Sequence, residues 1–235
     1  MAKILIVLTS QAKLGNTGKP TGFYFDEMAE PYWVFKDAGH SVDIASIAGG
    51  NPKPDPASVD QDITKMSSLS QRFLRDLHAQ EKLENTTAIG NVDPKHYDVI
   101  FLAGGHGAMW DFATNNKLAH VVSEIYNQGG VVGAVCHGPA GLVNAKRADG
   151  KPLVEGLRVN GFTDDEERGF KLEKVVPFLL ETKLRSLGGK FESGSNFSDY
   201  AVRDGRLVTG QNPQSAKSTA ELVVQALAQQ DQQAA

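Results

Sequence analysis

Short apolar runs recur along the chain, separated by stretches whose apolar residues repeat every three or four positions. Residues 3–9 (KILIVLT), 41–47 (SVDIASI), 98–103 (DVIFLA) and 130–135 (GVVGAV) are largely apolar and partly β-branched, which suits strands buried on both faces. Residues 21–38 carry an apolar stripe through Phe25, Met28, Tyr32 and Phe35 and stop at Gly39. Residues 115–127 carry one through Leu118, Val121, Val122, Ile125 and Tyr126 ahead of Gly129 and Gly130. Both spacings predict helices. Further strands are predicted near residues 158–160, 190–192 and 206–209. A last helix is predicted from Pro213, a residue suited to a first helical turn, to about Gln229, with the tail DQQAA fraying. Alternating strands and helices imply βαβ units, hence an α/β fold with a doubly wound, mostly parallel sheet and helices on both faces.

Residues 49–97 break that rhythm, separating two core strands by about fifty positions. The segment opens with GGNPKPDP, which excludes regular structure, and residues 67–83 read as a helix. We read it as an inserted cap segment folding over one sheet edge, within a single domain of residues 1–235. A lid or binding surface and a plain stabilising decoration are both open readings of it.

Composition narrows the setting. The chain has 235 residues, 40% of them hydrophobic, and a formal charge of −4 from 24 Lys and Arg against 28 Asp and Glu. Such a chain buries a sizeable core, about 70% of its unfolded surface. The acidic balance argues against nucleic acid as a partner, and no apolar stretch is long enough to span a membrane. MAKILIVLTS runs into the first strand with no small-residue cleavage site, so no signal peptide is expected. One cysteine makes neither an internal disulfide nor a cysteine-based zinc site. A soluble cytoplasmic enzyme or chaperone-like protein is the expectation.

That cysteine, Cys136, lies in VVGAVCHGPAG, where a strand pattern ends and the small residues Gly138, Ala140 and Gly141 open a helix. The arrangement places the thiol on a sharp strand-to-helix turn, an imperfect form of the nucleophile elbow, at the sheet edge where α/β folds bind ligands. A helix N-terminus there is expected to favour thiolate, and the following backbone N–H is placed to hold an oxyanion. His137 reaches the substrate side of Cys136 if the elbow is tight. An acid to orient it is available in GFTDDEERG, at Asp164, Asp165, Glu166 or Glu167, and spacing does not choose among them; a solvated acidic turn is the plainer reading. The loop AGGHGAMWD offers Gly105 as a second oxyanion donor; His106 reads equally as a substrate contact or as a satisfied loop histidine. Glu27 follows Phe23, Tyr24 and Phe25. Near a buried thiol it would have a raised pKa and serve as a proton shuttle; standing alone it is an ordinary helix glutamate.

AVCHGPAG after G-G-V-V, the AGGHG loop, T-G-x-x-x-x-E before a proline, GFTD and TGQNPQSA, in this order and spacing, resemble the ThiJ/PfpI superfamily, which has a class I glutamine amidotransferase-like fold. More narrowly they resemble its glyoxalase III and heat-shock chaperone branch, from residue 3 to about residue 227. The resemblance implies a flavodoxin-like fold with Cys136 as nucleophile, His137 as its partner, Glu167 as the orienting acid with Asp164 in reserve, and Glu27 against the thiol. Gly105 and the His137 backbone would form the oxyanion site. It implies glutathione-independent conversion of methylglyoxal to lactate (a lyase of the D-lactate dehydratase type) and a homodimer. No cofactor is expected, because the hydride equivalent stays within the substrate, and no metal, because the metal-site residues of some relatives have no match in this sequence. Members are also described as holdase chaperones for misfolded proteins and as protein deglycases. A small site is expected for so small a substrate. Other readings are a stress-responsive holdase with a large exposed apolar patch, for which residues 49–97 are the candidate; a redox sensor using an oxidisable thiol; and a cysteine hydrolase or peptidase. Residues 188–235 lack the downstream histidine–glutamate pair of glutamine amidotransferases.

Overall fold

The computed structural model describes residues 1–234. In chain order the elements are β1 (Lys3–Leu8), α1 (Phe25–Asp37), β2 (Ser41–Ser46), α2 (Ser68–Arg75), α3 (Leu77–Glu84), β3 (Thr87–Ala88), β4 (Val99–Leu102), α4 (Ala108–Asp111), α5 (Asn116–Asn127), β5 (Val131–Val135), β6 (Arg158–Val159), α6 (Asp164–Gly169), α7 (Leu180–Ser186), β7 (Lys190–Phe191), β8 (Ala201–Asp204), β9 (Leu207–Gly210) and α8 (Ala216–Ala234). Seven strands form one sheet in the order β3-β2-β1-β4-β5-β9-β8, parallel except where β8 pairs antiparallel with β9. The central order β2-β1-β4-β5-β9 is that of flavodoxin-like folds, and the direction of winding reverses between β1 and β4, where such sheets open a crevice at the strands' carboxyl ends.

The sequence explains the layers. β4 and β5 are buried at every position, so successive side chains serve opposite faces. Phe101 meets Phe35 of α1 edge-on at 5.6 Å, and Gly133 leaves room for Phe101 and for Val223 of α8. Leu102 turns the other way, toward Leu118 of α5 across Gly141. Helices therefore cover both faces, with α1 and α8 packed together on one and α5 on the other.

Several boundaries differ from the expectation. α1 begins at Phe25, not near Thr21, because the preceding residues are extended and tied to the insertion: the Phe23 N–H donates to Lys53 O at 3.2 Å and the Asp55 N–H to Phe23 O at 2.7 Å. The helix expected over residues 67–83 is two helices. Asp76 breaks it in extended conformation and caps the second by accepting from the Ala79 N–H. Residues 158–159 and 190–191 pair with each other in a separate two-stranded sheet. The last helix opens with a 3-10 turn at Pro213–Ser215 and continues to Ala234, beyond Gln229 and through most of the tail expected to fray; Ala235 lies outside the described residues. Within residues 49–97, β3 extends the sheet edge beside β2, and Phe73 of α2 is buried against Phe25 and Tyr32 of α1. Among the described residues no helix is long and apolar enough to cross a membrane.

Candidate active site

β5 ends at Val135, and Cys136 takes a left-handed backbone conformation, φ +59°, rare for a residue with a side chain and a recurrent mark of functional turns. The turn is fixed from both sides. The Cys136 N–H donates to Gly210 O at 2.9 Å, and its carbonyl accepts from the Phe162 N–H at 2.8 Å. Gly138 must lack a Cβ, which would lie 2.1 Å from Leu102 O. The expected helix after the thiol is a five-residue 3-10 segment, Gly138–Leu142. It is too short for a substantial dipole, so the thiol depends on its immediate neighbours.

Those neighbours are buried. Cys136 is 2% exposed and Glu27 0%. Burial pushes the thiol well above its ordinary range, and a charged Glu27 adds to the shift, while the backbone N–H groups of Gly105 and His137 pull it back down. The expectation of a thiol activated by a helix terminus is corrected accordingly. Burial also raises Glu27 well above the usual carboxylate range, against its contacts with Cys136 and the Gly104 N–H. Glu27 Oε2 accepts from that N–H at 2.7 Å, and Oε1 is buried with no hydrogen-bond partner. Burial of this kind favours the protonated, neutral form. A protonated Glu27 removes the negative charge that opposes thiolate and offers a donor, so the two groups titrate as a pair. Pro31, inside α1, has no N–H to give to the Glu27 carbonyl.

Gly104 and Gly105 bring β4 to the same point. A Cβ on Gly104 would lie 2.6 Å from Glu27 Oε2, His137 N and Val135 O. Gly105 has φ +99°, and its Cβ would meet the backbone of residues 22–24.

Cys136 Sγ is 3.3 Å from His137 Nδ1, and His137 Nε2 is 2.8 Å from Glu167 Oε2. The other carboxylate oxygen, Oε1, is 2.9 Å from His106 Nε2. Burial and the neighbouring His106 hold His137 below its ordinary value. Burial pulls Glu167 upward, but His137 and His106 outweigh it and lower the carboxyl to about 2. An ionised carboxylate only accepts. His137 therefore carries its proton on Nε2 and turns the Nδ1 lone pair toward the thiol.

The acidic run is thereby divided. The side chain of Thr163 caps α6 in a reciprocal box with Glu166. Asp164 bonds Thr182 and Asp165 bonds exposed Arg168, so neither reaches His137. Glu166 is buried and accepts from the Thr163 N–H and Oγ1, the Phe197 N–H, Gln211 Nε2 and Asn212 Nδ2 at 2.7–3.1 Å. Glu167 alone of the four faces the histidines.

Above Cys136 and His137 opens a cavity of about 370 Å³, larger than the small site expected. Gly105 and His106 share its floor; Phe162, Phe170 and Phe197 form much of its wall, and Tyr24 and Lys19 also line it. Sequence reasoning passed over these aromatic residues. Only Phe162, in GFTD beside the acidic run, lay close to a motif. From residues 49–97, Asp55 and Ala57 reach the cavity; elsewhere in the insertion α2 packs on α1 and β3 lies beside β2. Among the described residues the large exposed hydrophobics are Met1, Leu77, Phe170 and Phe197, of which Leu77 alone lies on that segment.

His106, His137 and Glu167 are also the one group among the described residues with the types and spacing to hold a metal ion. Both histidine Nε2 atoms are, however, engaged by the carboxylate, so a metal would have to displace both bonds.

Residues 22–154 match the DJ-1/PfpI family. A glutathione-independent glyoxalase, hsp3102 of Schizosaccharomyces pombe, is 36% identical over 223 residues, covering 89% of this chain and 90% of that protein. The crystal structure of Candida albicans glyoxalase III superposes with a TM-score of 0.87 at 33% identity, over 96% of this chain and 97% of that one. That of Francisella tularensis Rapid Encystment Protein 24 kDa gives 0.91 at 39% identity, over 97% and 99%.

Proposed function

The chain belongs to the DJ-1/PfpI family, and on that premise we propose that it is a glutathione-independent glyoxalase converting methylglyoxal and related 2-oxoaldehydes to 2-hydroxy acids. The observation that carries the reading is the run of contacts from Cys136 through His137 to Glu167 in the lining of a cavity, with Glu27 buried beside Gly104.

In this reading His137 Nδ1, 3.3 Å from Sγ, takes the Cys136 proton as sulfur adds to the aldehyde carbon C1 and returns it to the new hemithioacetal oxygen, while Glu27 donates a hydrogen bond to the sulfur. The backbone N–H groups of Gly105 and His137 stabilise the oxyanion that forms. His137 Nδ1 takes the proton from C1 and an enediol forms; a proton delivered to C2 leaves C1 as a thioester. Glu167 holds the imidazole in the required tautomer and stabilises its charged form. Water cleaves the thioester and restores the thiol. The net change is one 2-oxoaldehyde and one water to one 2-hydroxy acid. The oxidation of C1 balances the reduction of C2, so neither glutathione nor a redox cofactor is consumed. His106 holds the second oxygen of Glu167 and lines the cavity beside the substrate.

The proposal extends to one domain over residues 1–235, a homodimer and a cytoplasmic setting; sedimentation of the purified chain tests the dimer. The decisive assay is lactate formation from methylglyoxal without glutathione, by the native chain and Cys136→Ala. Turnover lost with the thiol supports the enzyme. No turnover by the native chain, with aggregation of a misfolded client still suppressed, would favour the holdase.

A further inference from the structure

Methylglyoxal has five heavy atoms and fills on the order of 100 Å³, about three waters at ~30 Å³ each. The cavity over Cys136 is about 370 Å³, within the range of sites that enclose much larger ligands. Most of its lining is apolar. Cys136, His137, Gly105 and His106 supply the groups around the thiol, and Lys19, Tyr24, Asp55 and Gln214 add polar groups. Phe162, Phe170 and Phe197 form a large apolar part of the wall. These three rings touch in every pairing, with centroids 5.9 Å apart for Phe162 and Phe170, 6.4 Å for Phe162 and Phe197, and 5.7 Å for Phe170 and Phe197. Phe162 continues the series inward, 4.4 Å from the His137 ring.

Two of the rings are held open to solvent at a conformational cost. Phe170 is 55% exposed and Phe197 43%. Phe197 sits at φ +57° and Lys171, next to Phe170, at φ +59°, where bulky side chains are outliers. With Cys136 they are the three non-glycine residues of positive φ among the described residues. The fold maintains this strain through Glu166, which accepts from the Phe197 N–H at 2.7 Å by its side chain and from the Phe170 N–H at 3.1 Å by its carbonyl. The same turn of α6 carries Glu167, so the acid that orients His137 and the two mouth rings are fixed from adjacent residues. Partly exposed aromatic rings in the lining of the thiol's cavity, one of them on a strained backbone, are what a flat apolar substituent would cover.

We propose that the preferred substrates are 2-oxoaldehydes bearing an aryl or comparably large apolar group, with Phe170 and Phe197 as the residues that select them. The inference rests on the glyoxalase reading above and narrows it. For phenylglyoxal the steps are unchanged: the sulfur adds to C1, the C1 hydrogen is replaced by one at C2, and water releases mandelate and frees the thiol. The phenyl ring lies against the phenylalanine wall while the dicarbonyl stays on the floor.

The test is kcat/KM for phenylglyoxal and methylglyoxal, with mandelate and lactate measured directly, on the native chain, Phe170→Ala, Phe197→Ala and Phe197→Leu. Phenylglyoxal also modifies arginines, but none lines the cavity, and product formation does not register that side reaction. The native chain is expected to favour phenylglyoxal by at least tenfold. Each alanine variant should cut the phenylglyoxal-to-methylglyoxal ratio by roughly three- to tenfold. Phe197→Leu, which keeps apolar bulk without a ring, guards against a local unfolding effect and should fall between. Methylglyoxal turned over as well as phenylglyoxal, or a ratio indifferent to both rings, overturns the preference and leaves the glyoxalase reading intact. A native chain silent toward both substrates overturns the parent reading and the preference with it.

Discussion

Cys136 Sγ and His137 Nδ1 lie 3.3 Å apart although the residues are chain neighbours, an arrangement that a regular helix or strand does not allow. The left-handed turn at Cys136 makes it possible. Replacing Cys136 by alanine should abolish 2-hydroxy acid formation with little loss of stability. Cys136→Thr, β-branched at a positive φ, should cost about 1–2 kcal/mol more than alanine, read as a lower urea midpoint.

Glu167 contributes stability that depends on pH in a defined direction. Its folded-state pKa is lowered from 4.5 to about 2. The contribution is therefore fully present above the unfolded value and lost as pH falls through about 2. It is on the order of 3 kcal/mol. Thermal melting of the native chain should fall more steeply between pH 5 and pH 2 than that of Glu167→Gln. The same variant should lower kcat about 10²- to 10⁴-fold, since the imidazole loses its orienting charge.

Glu27 has the opposite sign. Burial raises it in the folded chain, so its contribution is complete below the unfolded carboxylate value and is lost as pH rises through the folded one. Glu27→Gln keeps the shape without the ionisation. It should keep its melting temperature as pH rises above the ordinary carboxylate range, where the native chain loses stability, while turnover falls by roughly 10² for want of the proton. A native chain whose melting temperature follows the variant's across that rise would contradict the assignment.

Glu166→Ala removes the acceptor of five hydrogen bonds and leaves buried donors on Thr163, Gln211 and Asn212 unmatched. A loss of about 3–5 kcal/mol is expected, measured by urea unfolding.

Gly104→Ala tests the packing between strands. Its Cβ would press on two backbone atoms and on Glu27 Oε2, each at 2.6 Å. A cost of about 1–3 kcal/mol should come with a disproportionate loss of turnover, because the displaced groups are those around the thiol.

Legibility in the sequence followed burial. β1, β2, β4 and β5 declared themselves because strands covered on both faces are continuous apolar runs, and Cys136 was placed by the run that ends at Val135. The two-residue strand β3 has no periodicity to detect; β6 and β7 fall where strands were expected, but nothing in so short a run shows that they pair with each other apart from the main sheet. β8 is only partly buried and was missed beside β9. Asp76 was read through because its capping bond to Ala79 looks, in sequence, like one more polar position on a helix. The thiol's neighbours were found through local motifs, whereas the choice of Glu167 over Asp164, Asp165 and Glu166 needed the resemblance, since all four open the same short helix. The aromatic wall was invisible because Phe162, Phe170 and Phe197 meet only after folding, with no spacing rule linking them.

Cys136 and the Gly104–Gly105 turn hang from adjacent strands, paired through Leu102 and Ala134, at a separation fixed by sheet geometry at about 4.8 Å. The mouth rings hang instead from a loop and the end of a six-residue helix. The two parts of the cavity thus have different tolerances to heat. On warming, the loop loosens before the sheet, and the chain should become indiscriminate before it becomes inactive.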